Sequence, residues 1–461
     1  MADPPQHSAL AHSARRIAPL AWPVFVGQLS VLAFATIDTV LVARASAIDL
    51  AALAVGAAAY ITVFIGLMGV VLALSPIVGQ LFGAGNRPEA GRQVHQALWV
   101  AAALALVGSS LLIFPYPFLA LSGASPAVAE KVRGYLLALA FSLPASLLFT
   151  IYRGFNVAVS RPKAVMVLQV AALGLKLPLS SALVFGLPAL GLPALGVVGC
   201  GIATCVAMWA QVLAAIWLLR RDKFYADFQL FGRGLDRPDG AALRHFLKLG
   251  LPMGAAILVE VTGFAFMAFF IARIGTTAVA GHQIAANLVS LMFMLPLAVG
   301  NATTTLVAQH IGAGQARDAA RMGVHGLLAG CGAAALVGSV VLALRPQVLH
   351  LYTGNEAVFA AAMPLIAWLV LFHVADAAQI IAALVLRAYK ITTVPMFIYV
   401  GALWGVGLGG GYLLAFNLGG FTPQPLLGAT GFWMASTTGL TLAAALLTAY
   451  LAWVLKQKLA G

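Results

Sequence analysis

Charged side chains are scarce in this chain of 461 residues: they make up 8% of it, whereas soluble domains carry about 25%. This shortage excludes a soluble globular protein. Hydrophobic residues make up 62% of the chain, and apolar runs of roughly 20 residues, each long enough to cross about 30 Å of hydrocarbon, recur throughout. The alternating segments of about ten residues that are typical of a transmembrane β-barrel do not appear. The sequence therefore predicts an all-α polytopic membrane protein.

Cysteine is also rare, and sequence motifs of catalysis are missing. The three cysteines, Cys200, Cys205 and Cys331, all lie in apolar segments, so no disulfide framework is expected. None of the motifs HExxH, GxSG and GxGD occurs, which argues against an intramembrane enzyme. The GAG turns at 83–85 and 312–314 follow no predicted strand, so they do not indicate a phosphate loop. No cofactor is expected.

Basic residues outnumber acidic ones by 26 to 13, and their positions explain the excess. We predict twelve spans. With the N-terminus in the cytoplasm, twenty Lys and Arg residues lie on the cytoplasmic side, five lie on the outer side, and Lys176 lies within a span. This asymmetry follows the positive-inside rule, so both termini are expected in the cytoplasm. The basic charge thus indicates topology, and no nucleic-acid partner is expected.

An internal repeat divides the chain into halves. The stretch "VGQLFGAGNRPEAGR" (78–92) returns as "VAQHIGAGQARDAAR" (307–321), and Pro23 matches Pro252 at the same displacement of 229. Each half holds six spans, an even number, so both enter from the same face as parallel repeats. We predict two six-helix bundles related by a parallel pseudo-two-fold repeat. The expected parts are an N-terminal tail (1–17), an N-terminal lobe (18–219), a basic linker (220–244), a C-terminal lobe (245–455) and a C-terminal tail (456–461).

Three acidic residues lie inside predicted spans, where a central charge costs about 2.5–3.5 kcal/mol on insertion scales. They are Asp38, Glu260 and Asp376, whereas the other ten acids lie in tails, loops or span ends. Two carboxylates in one apolar site resist simultaneous ionisation, so one is expected to hold a proton or a cation. We predict that Glu260 and Asp376 form an ion site for Na⁺ or H⁺. A purely structural, hydrogen-bonded acid is the alternative at each position.

A lysine in the first half could neutralise Asp38. Lys176 lies in the middle of "AALGLKLPLSSALVFG", whereas Arg44 lies six residues after Asp38, near the outer end of its span. Two possibilities follow for Asp38. It pairs with Lys176, or it lies near the membrane surface, where it pairs with Arg44 or reaches water. If Lys176 reaches Asp38, the first bundle is nearly neutral inside, and the second bundle is the better candidate for an ion site.

Polar and aromatic residues of the second half are candidates for a substrate cavity. Gln283 and Asn287 are four residues apart and therefore share one helical face. Phe264 could offer its ring to an organic cation. Interhelical hydrogen bonding is the alternative for the two amides, and contact with lipid is the alternative for the phenylalanine.

Four stretches resemble the multidrug and toxic compound extrusion (MATE) family, in its NorM-type branch. They are "PVFVGQLSVLAFATIDTVLVARASAIDLAALAVG", "SPIVGQLFGAGN", "LPMGAAILVEVTGFAFMAFFIARIGTTAVAGHQIAANL" and "DAAQIIAALVLRAYK". The resemblance implies two six-helix lobes in a bacterial inner membrane, and antiport in which Na⁺ or H⁺ enters while organic cations leave. It also implies functional acids at Asp38, Glu260 and Asp376. A monomer would be sufficient.

Two positions depart from the family pattern. Members often have a tyrosine where this chain has Phe372, and commonly an asparagine where it has Lys176. The first change removes a possible cation ligand one turn before Asp376. The second puts a lysine in the first lobe, which could hold Asp38 ionised through a salt bridge or act as a built-in cation. We therefore expect coupling to rest mainly on Glu260 and Asp376. The alternative functions are a different two-lobed secondary transporter, a flippase for lipid-linked intermediates and an intramembrane enzyme.

Overall fold

The computed structural model describes residues 6–460 apart from 124, 188–190, 192, 233 and 421. Long helices dominate because backbone groups that face hydrocarbon must be hydrogen-bonded within their own segment. The helices are α1 Gln6–Ala45, α2 Ala47–Val71, α3 Leu74–Gly83, α4 Arg87–Ile113, α5 Tyr116–Ser122, α6 Pro126–Ala158, α7 Pro162–Phe185, α8 Val197–Arg221, α9 Gly240–Ala272, α10 Thr276–Gly312, α11 Ala316–Ala343, α12 Arg345–Tyr352, α13 Glu356–Ala367, α14 Leu369–Ala388, α15 Thr393–Tyr399, α16 Gly410–Ala415 and α17 Ala429–Ala460. Between α15 and α16 lies a π-helical segment, Val400–Gly409.

Twelve helical stretches among the described residues are long and apolar enough to cross a membrane. Six of them end by Arg221 and six begin at Gly240 or later, so the sixth and seventh each overlap one end of the 220–244 linker. This confirms the predicted all-α polytopic fold with twelve spans. Two spans are composite: α2 continues into α3, and α15 continues through the π-helical segment into α16.

The apolar run at about 360–386 predicts the tenth span, and the structure differs from that prediction. That range is divided at Trp368, and only α14, which follows this residue, is long enough to cross a membrane. Pro364 lies inside α13 and provides a reason, because proline has no backbone N–H and its ring clashes with the carbonyl one turn earlier. The helix is therefore weakened just before the break.

The chain divides into two compact units, and each is described by itself. The N-terminal unit contains residues 26–254, and the C-terminal unit contains the described residues of 1–25 together with 255–461. These units differ at their edges from the expected lobes, since residues 18–25 and 245–254 belong to the unit of the other half.

Packing explains why the unit boundaries fall inside α1 and α9. Ile17 and Ala21 are buried in the same hydrophobic cluster as Ala256, within the C-terminal unit. Phe246 and Met253, from the first part of α9, are buried in the main cluster of the N-terminal unit. Each of these helices therefore buries its first part and its later part in different cores.

The basic linker packs on α4 within the N-terminal unit. His95 Nδ1 lies 2.8 Å from Asp236 Oδ2, and the Gln96 side-chain amide donates to the Arg237 carbonyl at 3.0 Å. Arg92 adds an ion pair of 3.1 Å with Asp239. These contacts make this part of the linker an ordered layer on α4.

Candidate functional site

The two acids predicted from the second half line one cavity in the C-terminal unit. Glu260 comes from α9 and Asp376 from α14, and Phe264, Phe372 and Ser436 line the same cavity. The other lining residues are glycine, methionine and leucine, contributed by α9, the π-helical segment and α17. An apolar pocket with a few convergent polar groups is the usual form of a small-molecule site.

One glutamine joins the two acids. Gln379 Nε2 donates to Asp376 Oδ1 at 3.0 Å and to Glu260 Oε1 at 3.3 Å. Gln379 is completely buried and follows Asp376 by three residues, so both side chains project from the same face of α14. This spacing was visible in the sequence, but the contact with Glu260 depends on how α9 packs against α14.

A tyrosine holds the glutamine in place. The Tyr399 hydroxyl donates to Gln379 Oε1, and Tyr399 is completely buried at the end of α15. The network therefore runs from Tyr399 through the amide to both carboxylates. Nothing in the sequence pointed to Tyr399, because it follows an ordinary apolar run and is 20 residues from its partner.

Aromatic rings form one wall of the cavity. The Phe264 and Phe372 rings meet edge to face with centroids 5.8 Å apart, and the Phe372 centroid lies 5.5 Å from that of Trp433. Trp433 Nε1 donates to His282 Nδ1 at 3.2 Å, which requires that Nδ1 carry no proton. The wall is thus a packed group of rings with a fixed orientation.

The π-helical segment approaches α9 beside Glu260. Trp404 Nε1 donates to the Val259 carbonyl at 2.9 Å, and Leu403 and Gly407 of the same segment line the cavity. The π-helix is rare, and single-turn π bulges within α-helices are frequent at functional sites. In this chain the segment brings the side chains of Leu403 and Leu408 and the backbone of Gly407 to the acidic cavity.

The predicted cavity residues Gln283 and Asn287 lie elsewhere. Both are exposed on α10, and Asn287 Oδ1 accepts a hydrogen bond of 2.9 Å from the Tyr352 hydroxyl. Neither lines the cavity that contains Glu260 and Asp376. Their role in binding substrate stays a prediction.

The third acid, Asp38, forms a buried ion pair in the N-terminal unit. Lys176 Nζ lies 2.8 Å from Asp38 Oδ2, and Lys176 is only 2% exposed. The ammonium also lies 3.5 Å from the Phe34 carbonyl and 4.6 Å from the centre of the Phe34 ring. Asp38 is therefore paired directly with a buried ammonium. The two acids of the C-terminal unit share a neutral amide, and the buried guanidinium of Arg387 on α14 acts on Glu260 without forming an ion pair among the described residues.

The predicted Na⁺ ligands, Glu260 and Asp376, supply two carboxylates to their cavity. Among the described residues, no group of three or more His, Cys, Asp and Glu side chains is arranged to hold a metal ion. Na⁺ binding at the two acids stays a prediction.

Known proteins are similar to this chain over most of its length. The family model described as MatE matches residues 23–181 and 252–413. The "Probable multidrug resistance protein NorM" of Aromatoleum aromaticum is 40% identical over 432 residues, which cover 92% of this chain and 91% of that protein. The "Multidrug resistance protein PmpM" of Pseudomonas aeruginosa is 36% identical over 442 residues, which cover 95% of this chain and 91% of that protein.

Solved structures share the fold at low sequence identity. One is described as the outward-facing conformation of a multidrug resistance MATE family transporter; it has a TM-score of 0.87 at 17% identity and covers 97% of both chains. The eukaryotic MATE transporter AtDTX14 has a TM-score of 0.85 at 19% identity and covers 96% of both chains.

The two residue ranges matched by the MatE family model contain all three predicted acids. The second range also contains Gln379 and Tyr399.

Proposed function

Since this chain belongs to the MatE family, whose members are transporters, we propose that it exports organic cations in exchange for inward-moving Na⁺ or H⁺. Membership confirms the resemblance noted in the sequence, and it replaces the alternatives of an intramembrane enzyme, a different two-lobed carrier and a flippase. The relatives named as multidrug resistance proteins support a role in drug efflux.

The acidic, aromatic cavity of the C-terminal unit is the observation that carries this proposal. A structural neighbour with 17% identity and a TM-score of 0.86 is described as having a binding pocket of reverse polarity that suggests a different function. The shared fold therefore does not determine the charge of the pocket. The side chains that line it determine whether it binds cations or anions. In this chain Glu260 and Asp376 favour cations, and Phe264 and Phe372 favour flat or quaternary ones.

Competition for the two carboxylates provides the coupling. A cationic substrate binds the ionised acids from the cytoplasmic side, and the coupling ion then neutralises the same acids and releases the substrate outside. The coupling is reciprocal, so the substrate must weaken ion binding by the same factor. We propose alternating access between the lobes 18–219 and 245–455, in a monomer in the bacterial inner membrane with both termini in the cytoplasm.

Transport by reconstituted protein tests the proposal. Proteoliposomes are given combined proton and Na⁺ gradients, and the movement of fluorescent organic cations is compared with that of anionic and neutral dyes. We expect cations to move against their gradient and the anionic dyes to stay. No movement of any cation in the panel would contradict the proposed function.

A leucine in place of Phe264 should weaken the binding of aromatic and quaternary cations. The substitution keeps an apolar side chain but removes the ring face, so affinity should fall by roughly two- to thirtyfold, equivalent to about 0.5–2 kcal/mol. The apparent KM for export measures the effect. The matched control is Phe269→Leu, because Phe269 is 64% exposed and does not line the cavity. Equal KM values in the two variants would remove Phe264 from the binding site.

A further inference from the structure

We propose that Gln379 makes the Glu260–Asp376 pair selective for a proton over Na⁺, an inference that rests on the proposed ion-coupled export. Gln379 Nε2 lies 3.0 Å from Asp376 Oδ1 and 3.3 Å from Glu260 Oε1, so its two N–H groups face both acids. A metal ion that bridged the two carboxylates at these oxygens would need the place that the amide nitrogen occupies.

Tyr399 determines the direction in which the amide points. Its hydroxyl donates to Gln379 Oε1, and both side chains are 0% exposed. Turning the amide round would aim Oε1 at two carboxylate oxygens, which are also acceptors, and would break the three hydrogen bonds of the network. The donor end of the amide therefore stays between the acids, where it repels a cation.

The remaining lining offers few oxygen ligands. A hard cation such as Na⁺ prefers several oxygen ligands around it. Among the described lining residues, Ser436 has the only hydroxyl, and it lies 3.4 Å from Met267 Sδ as a hydrogen-bond donor. The Val259 carbonyl beside Glu260 already accepts from Trp404. Apart from the second oxygen of each carboxylate, the described lining therefore offers Na⁺ one side-chain oxygen, that of Ser436.

A proton needs only one carboxylate oxygen, whereas Na⁺ needs several oxygen ligands. Each acid has a second carboxylate oxygen that Gln379 does not contact. A proton can bind there while Tyr399, Gln379 and both acids keep their hydrogen bonds. The same network that excludes Na⁺ thus leaves a place for H⁺.

Separate gradients test this selectivity in the wild-type protein. Proteoliposomes receive either a pH gradient or a Na⁺ gradient, with the membrane voltage clamped by K⁺ and valinomycin, and export of a fluorescent organic cation is followed. We expect the pH gradient to drive export and the Na⁺ gradient to give the rate seen without a gradient. Export driven by Na⁺ alone would overturn the inference and leave the proposed function standing. Failure of both gradients would remove the proposed function itself.

The variant Gln379→Glu tests the role of the amide. It replaces the donors with a third carboxylate, so we expect the Na⁺ gradient to begin to drive export. Gln457→Glu, the same change at an exposed position in the last turns of α17, should leave the ion preference unchanged. A Gln379→Glu protein that transports with the pH gradient alone would refute the role of Gln379.

If the Gln379→Glu protein does not transport, a stability measurement on the wild-type protein tests whether it binds Na⁺. The melting temperature of the wild-type protein is measured with Na⁺ in place of K⁺ at equal ionic strength. We expect no change, because a ligand stabilises the folded state only if it binds there. A rise specific to Na⁺ would overturn the inference.

Discussion

Replacing Glu260 with glutamine, or Asp376 with asparagine, should reduce ion-driven export to the background of empty vesicles. Each substitution keeps the size of the side chain but removes a negative charge from a cavity that has two. The neutral cavity then attracts an organic cation poorly, and it has lost a binding place for the coupling ion. Initial rates of dye export from proteoliposomes with matched protein content measure the effect.

Glu356→Gln is the matched control for these variants. Glu356 is exposed in the first turn of α13, so the same chemical change there should leave export close to the wild-type rate. Full export by Glu260→Gln together with loss in Asp38→Asn would contradict our assignment, because it would place coupling on the N-terminal unit.

Replacing Lys176 with methionine should destabilise the N-terminal unit strongly. The substitution leaves the Asp38 carboxylate buried without its ammonium partner, and breaking a buried pair in this way costs about 3–5 kcal/mol. The double variant Asp38→Asn/Lys176→Met should recover most of this loss, since it removes both charges of the pair. Reversible unfolding in mixed micelles gives the free energies for a double-mutant cycle.

Lys131→Met provides the comparison for the buried pair. Lys131 lies 2.8 Å from Asp49, which is buried, but the Lys131 side chain is 38% exposed. Without Lys131, Asp49 keeps its hydrogen bond from the Val197 N–H and water can take the place of the ammonium, so the loss should cost about 1 kcal/mol, well below the loss at Lys176. Lys176→Met and Lys131→Met proteins of equal stability would show that the Asp38–Lys176 pair contributes little.

The acids of the site could be predicted from the sequence, but their connection could not. A carboxylate within an apolar run stands out because its insertion is costly, and this signal identified Glu260 and Asp376. Gln379 is less conspicuous, since a glutamine in a span has a smaller cost. Its bond to Glu260 joins residues 119 positions apart, so it depends on the packing of α9 against α14.

Hydropathy predicted the spans well and their internal breaks poorly. The run "VGALWGVGLG" has the composition of an ordinary apolar helix, so its composition does not indicate the π-helical form that the structure shows. The division of α1 and α9 between the two units is also invisible to hydropathy, because both helices continue without interruption through the boundary. Pro364 was a local signal for the break before α14.

Competition between an organic cation and the coupling ion at Glu260 and Asp376 is the central claim, and equilibrium binding tests it directly. The affinity of the purified protein for a fluorescent organic cation is measured by anisotropy while the pH is lowered. Ionised carboxylates attract the cation and protonated ones do not, so affinity should fall as the pH falls. This dependence should disappear in the double variant Glu260→Gln/Asp376→Asn. A wild-type affinity that does not change with pH, or a dependence that persists in the double variant, would contradict the account.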